Sequence, residues 1–114
     1  MKFILILIIP VVLSGTQCSK NNNFDAPSCV QQKIKQIKAQ QKWNPPATVS
    51  EYDYKGQKVY LFTSGCCDQY IELFDNNCNY LCAPSGGFSG RGDGKCPDFY
   101  SKATLIRVVW KDPR

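Results

Sequence analysis

The chain has 114 residues, seven of them cysteine and none histidine, with a formal charge of +5. That length holds one domain, and a domain below about 100 residues is often marginal without cross-links. The missing histidines exclude Ser-His-Asp and Cys-His nucleophiles and every His-ligated metal site. So mild a charge argues against a nucleic-acid partner, though it allows weak attraction to anionic lipid or polysaccharide.

The first element is a targeting segment. Lys2 precedes an apolar run from Phe3 to Leu13, broken only by Pro10, and Ser14-Gly15-Thr16-Gln17 leads into Cys18. A basic start, a short apolar stretch and a small-residue exit make a secretory signal, and the run is too short to span a bilayer, which needs about 20 residues. Cys18 resembles the lipidated cysteine of a lipoprotein signal, although Gly15 and Gln17 stand where an aliphatic and a small residue are usual. Seven cysteines is an odd number, and lipidation of Cys18 leaves six to pair. The division is therefore 1–17 signal peptide, 18–27 lipidated Cys18 and polar tether, and 28–114 a single domain. The competing reading is plain secretion with a free Cys18.

Ser28 with Gln31 matches a capping box, and Val30, Ile34 and Ile37 recur at helical spacing before Asn44-Pro45-Pro46. The pattern predicts an amphipathic helix over 28–42, with Lys35, Lys38 and Lys42 on a solvated flank. Strands follow over 47–54 and 57–64, joined at Lys55-Gly56. Their register sets Tyr54 against Gln57, Asp53 against Lys58 and Tyr52 against Val59. A second hairpin, 70–75 with 78–83, turns at Asn76-Asn77. A last strand, 104–111, carries Ile106, Val108 and Trp110 on its inner face. One helix followed by adjacent strands is an α+β fold, the N-terminal helix packed on an antiparallel sheet of about five strands.

The six domain cysteines, Cys29, Cys66, Cys67, Cys78, Cys82 and Cys96, are expected to form three disulfides in an oxidising envelope. Their connectivity stays open. Cys78 and Cys82 would lie about 13 Å apart on an extended strand, too far for one bond. A bond between the neighbours Cys66 and Cys67 would strain the peptide, so each is expected to pair elsewhere. Zinc lacks the two-residue cysteine spacing it favours, and a redox pair lacks a C-x-x-C motif.

Between Gly86 and Lys95 lie five glycines, which imply positive φ angles or close backbone approach. The segment fits neither a phosphate-binding loop, since Ser89 and Cys96 occupy defining positions, nor, with Tyr80 after Asn79, an EF-hand beginning at Asp75. Arg91-Gly92-Asp93 spells an integrin tripeptide, which three residues reproduce readily by chance. Two other readings are an anion cup of backbone N–H groups and calcium ligation by Asp93 and Asp98. As a candidate binding loop it offers Phe88, Arg91, Asp93 and Lys95.

Trp43-Asn44-Pro45-Pro46, Gly65-Cys66-Cys67-Asp68, Leu73-Phe74-Asp75, CAPSGG at 82–87 and GDGKCPDF at 92–99 occur together. In these the chain resembles a family of small cysteine-rich Bacteroidota lipoproteins, over roughly Cys29 to Arg114. The resemblance implies envelope location and disulfides, and no catalytic residue. The expected function is thus a non-catalytic, monomeric, outer-membrane-anchored lipoprotein of the bacterial envelope, held to the membrane by its lipid and binding an envelope protein or glycan. No cofactor, metal or nucleic acid is expected. The alternatives are a protease or hydrolase inhibitor, using the glycine-rich loop, and a thiol-disulfide protein, using Cys66 and Cys67.

Overall fold

The computed structural model describes Pro10 and residues 25–114. The signal segment, Cys18 and the tether up to residue 24 lie outside the described residues, apart from Pro10. The elements are α1 (Ser28–Lys38), β1 (Thr48–Tyr54), β2 (Gln57–Phe62), β3 (Tyr70–Phe74), β4 (Tyr80–Gly86), α2 (Phe99–Lys102) and β5 (Thr104–Lys111). The strands form one antiparallel sheet in the order β4-β3-β2-β1-β5. The α+β expectation holds, and the β1–β2 register sets Asp53 against Lys58 and Tyr52 against Val59 as read from the sequence.

One face of the sheet receives α1. Val30, Ile34 and Ile37 are buried against Val49, Tyr60, Phe62, Phe74 and Trp110. Each such side chain contributes about 1.5–3 kcal/mol by leaving water. Glu51 is also buried, where Arg107 Nε donates to its carboxylate at 2.8 Å and Lys58 lies at 3.8 Å. The opposite face carries a second cluster of Tyr54, Val59, Leu73, Cys82, Cys96 and Phe99. Phe99 has no exposed surface and meets Tyr52, Tyr54 and Tyr100 edge to face, with ring centroids 5.0, 5.3 and 5.1 Å apart.

Several local expectations are corrected. The helix is capped by Pro27 instead of Ser28, and the Gln31 side chain donates to the Ala26 carbonyl at 2.7 Å. It ends at Lys38, short of residue 42, because the Arg114 guanidinium takes the carbonyls of Ile37, Lys38 and Gln40 at its C-terminal end. Such a cation satisfies carbonyls that a further turn would otherwise occupy. Asp112 in turn holds Arg114 with a 2.6 Å contact.

Ile106 and Val108 do not face inward: they are 46 % and 54 % exposed. Two bulges in the β1–β5 ladder break the period of two, so Val49 pairs with Trp110 while Ser50 pairs with Val108. The second hairpin begins at Tyr70 as expected, but its return strand starts at Tyr80, later than residue 78. The Asp75 carboxylate accepts the N–H groups of Asn77 and Asn79, at 2.8 and 2.9 Å, and holds 75–79 as a turn before β4 begins.

Cys29 bonds Cys78, tying α1 to that turn, and Cys82 bonds Cys96. Cys66 and Cys67 bond each other, against the expectation that each pairs elsewhere. With the other four cysteines matched, neither has another sulfur available among the described residues. The chain turns there through a left-handed residue, Cys67 (φ 59°).

Phe99 is the centre of the second layer, so Phe99→Ala is expected to destabilise the domain by about 3–5 kcal/mol, measured by chemical denaturation. An effect below about 1 kcal/mol would mean that this layer adds little to the fold.

Candidate functional site

The glycine-rich loop is built onto the sheet. Gly86 (φ 79°) lies against the backbone of Gln69 and Ile71, and Gly92 (φ 72°) against the carbonyl of Ala83, so a Cβ at either place would collide with main chain. The N–H groups of Gly87, Gly92 and Asp93 donate to the carbonyls of Gln69, Gly86 and Ala83 at 3.0–3.1 Å, and Gly90 N–H donates to Gly87. These donors point into the protein, so they do not form an anion cup.

The four candidate residues divide. The Asp93 carboxylate accepts the Tyr80 hydroxyl at 2.6 Å and the Lys95 N–H at 3.0 Å, and the Lys95 ammonium lies 5.6 Å from the Tyr80 ring centroid. Asp93 and Lys95 therefore fasten the loop. Phe88, 96 % exposed, stands at its tip, and Arg91 is also exposed. Asp98 is engaged elsewhere, accepting the Tyr54 hydroxyl at 2.5 Å with Lys55 and Lys102 at 3.4 and 3.8 Å. Two carboxylates so occupied, by separate tyrosines, do not make one calcium site.

Beside the loop the structure opens a cleft of about 560 Å³ between α1 and the β2–β3 connection. Sequence reasoning missed it, because its walls come from distant segments: Lys33, Gln36 and Gln40 from the helix, Trp43 beyond it, and Asp68, Tyr70 and Glu72 across. Two aromatic rings at the cleft each rest on a glycine. A Cβ on Gly65 would stand 3.1 Å from Trp43 Cε2, and one on Gly87 would collide with the Tyr70 ring. Trp43 Nε1 donates to Gln40 Oε1 at 3.0 Å, which fixes the rotation of the indole. Gly87 belongs to the candidate loop, so the loop packs against one wall of the cleft at Tyr70. The Cys66–Cys67 pair, exposed, lies between Gly65 and Asp68 in the same wall segment.

The ionisable groups of this region couple to the fold. The Tyr80 phenol holds the Asp93 carboxyl below the usual carboxylate range, and the Tyr54 phenol does the same for Asp98. The Asn79 N–H lowers Asp75, and the Arg114 guanidinium lowers Asp112. Burial, with the Asp93 charge, pushes Tyr80 up to about 12. A lowered carboxyl contributes stability above its unfolded pKa of about 4, lost as pH falls through the folded value. A raised phenol contributes stability below its unfolded pKa of about 10, lost as pH rises through the folded value. Thermal melts are therefore expected to show a plateau that falls below pH about 4 and above pH about 10. Tyr80→Phe is expected to shrink the alkaline fall, and an unchanged alkaline limb would contradict the Tyr80–Asp93 contact.

No curated protein and no solved structure matches the chain. Residues 35–112 match the family described as Domain of unknown function (DUF6970). The matched span runs from within α1 through the Cys66–Cys67 segment, the glycine-rich loop and α2 to the residue after β5, and the chain belongs to that family.

Proposed function

We propose that this chain is a non-catalytic lipoprotein of a bacterial envelope, anchored through Cys18, whose stapled domain binds an envelope protein or glycan. The observation that carries the binding role is the cleft with its two glycine-seated aromatics, joined to the loop that projects Phe88. Surfaces of this kind, in which fixed aromatic rings stand among many polar side chains, suit recognition. The anchor draws support from the cysteine count. The six domain cysteines pair among themselves, which leaves Cys18 as the odd thiol. A hydrolase inhibitor would use the same Phe88 loop as its contact.

Intact and peptide mass spectrometry of the unreduced protein from its native envelope tests the anchor. A diacyl or triacyl mass on Cys18 with no free thiol is expected, and an unmodified Cys18 would overturn the lipoprotein reading. Retention of the full-length protein on isolated cell envelopes tests the binding role. Retention should fall with Trp43→Ala and with Phe88→Ala, and equal retention of both variants would remove the surface from the proposal.

A second reading, thiol-disulfide exchange, is favoured by the exposure of Cys66 and Cys67. An external dithiol would pass two electrons and two protons to this bond and itself become a disulfide. Under mild dithiothreitol, Cys66 and Cys67 should then be alkylated first, with Cys29–Cys78 and Cys82–Cys96 intact. Loss of all three bonds together would reject this reading.

A further inference from the structure

We infer that the cleft between α1 and the β2–β3 connection is a subsite for a neutral oligosaccharide, stacked on Trp43 and Tyr70. The inference rests on the binding-module reading and names the ligand class of that surface. A pyranose ring offers an apolar face of C–H groups and a rim of hydroxyls. It is recognised by flat aromatic rings together with side chains that both donate and accept hydrogen bonds.

The cleft supplies both. Trp43 and Tyr70 line it, and each ring packs closely against a glycine. At Gly65 no positive φ demands glycine, so its role is the room it leaves for the indole. Rings fixed in this way lose little freedom on binding. Gln36, Gln40 and Gln69 bring amides that donate and accept, and Asp68 and Glu72 bring acceptors for hydroxyl protons. The volume, about 560 Å³, falls within the range of small-ligand clefts, about 300–1,000 Å³.

Charge selects against an anionic ligand although the whole chain is basic. Among the described residues the only cation lining the cleft, Lys33, has its ammonium 4.1 Å from the Phe74 ring centroid and 5.9 Å from that of Phe62. It is engaged by these rings, while Asp68 and Glu72 make the lining net negative. An extended peptide is disfavoured by topology. The cleft lies against β2 and β3, which are interior strands whose backbone groups pair within the sheet, so no free edge is available for strand addition.

The test is titration of the full-length protein with two neutral probes, tetra-N-acetylchitotetraose and maltohexaose, and with polygalacturonate as the anionic comparison. Binding is read by tryptophan emission and by calorimetry. Saturable binding of at least one neutral probe at millimolar concentration or below is expected, at least tenfold tighter than for polygalacturonate. Trp43→Ala should weaken it at least tenfold. Gly65→Ala, which displaces the indole while keeping it, should also weaken binding with the melting temperature nearly unchanged. No binding of either neutral probe, or equal binding by Trp43→Ala, overturns the inference. If the protein is still retained on cell envelopes through Trp43 and Phe88, the sugar inference alone falls. If retention is absent too, the binding-module reading falls with it.

Discussion

A five-stranded sheet has two faces to cover, and among the described residues the helices available are α1, of eleven residues, and α2, of four. That constraint organises the rest. The first helix hides one face with three buried aliphatic side chains, and the other is closed by largely irregular backbone, the glycine-rich loop and α2, returning from β4 to β5. Irregular backbone brings little cooperativity of its own, so it is fastened at several points. The Cys82–Cys96 bond ties it back to β4, Phe99 fills the centre of the layer, and the phenols of Tyr54 and Tyr80 bind Asp98 and Asp93. Glycines occupy the places where this segment meets the sheet too closely for a side chain.

The same covering segment shapes the candidate site. Because the loop is pressed against the start of β3 at Gln69 and Ile71, Gly87 comes to lie against the Tyr70 ring. On the other wall the early end of α1 frees the chain to carry Trp43 onto Gly65. Arg114 contributes there at a distance, since its guanidinium closes the helix end that precedes Trp43. The cleft is thus a product of how the second layer and the helix end are secured.

Much of the fold was legible where the chemistry is local. The β1–β2 register followed from Asp53 facing Lys58 across a glycine turn, and the helix face from Val30, Ile34 and Ile37. What escaped depends on partners far apart in sequence. Nothing near Lys38 announces that Arg114 will stop the helix, and nothing in the alternation of β5 announces two bulges. The Cys66–Cys67 bond escaped because local strain was weighed without knowing that the other four cysteines are matched. In the candidate loop, Phe88 was legible as an exposed group. Asp93 and Lys95 were not legible as fasteners, because their partner is Tyr80 on β4. The cleft left only a trace, a tryptophan after a helix and a glycine before paired cysteines.

The bulges of β5 bear on how copies of this protein tolerate one another. β5 is an edge strand and shows solvent Leu105, Ile106 and Val108, a composition that invites another chain to extend the sheet. A straight ladder of that kind is a template for aggregation, but two register shifts within eight residues spoil the regular spacing of its outward N–H and C=O groups. The irregularity that turned Ile106 and Val108 outward also denies a neighbour the even hydrogen-bonding row it would need, so crowding need not become polymerisation.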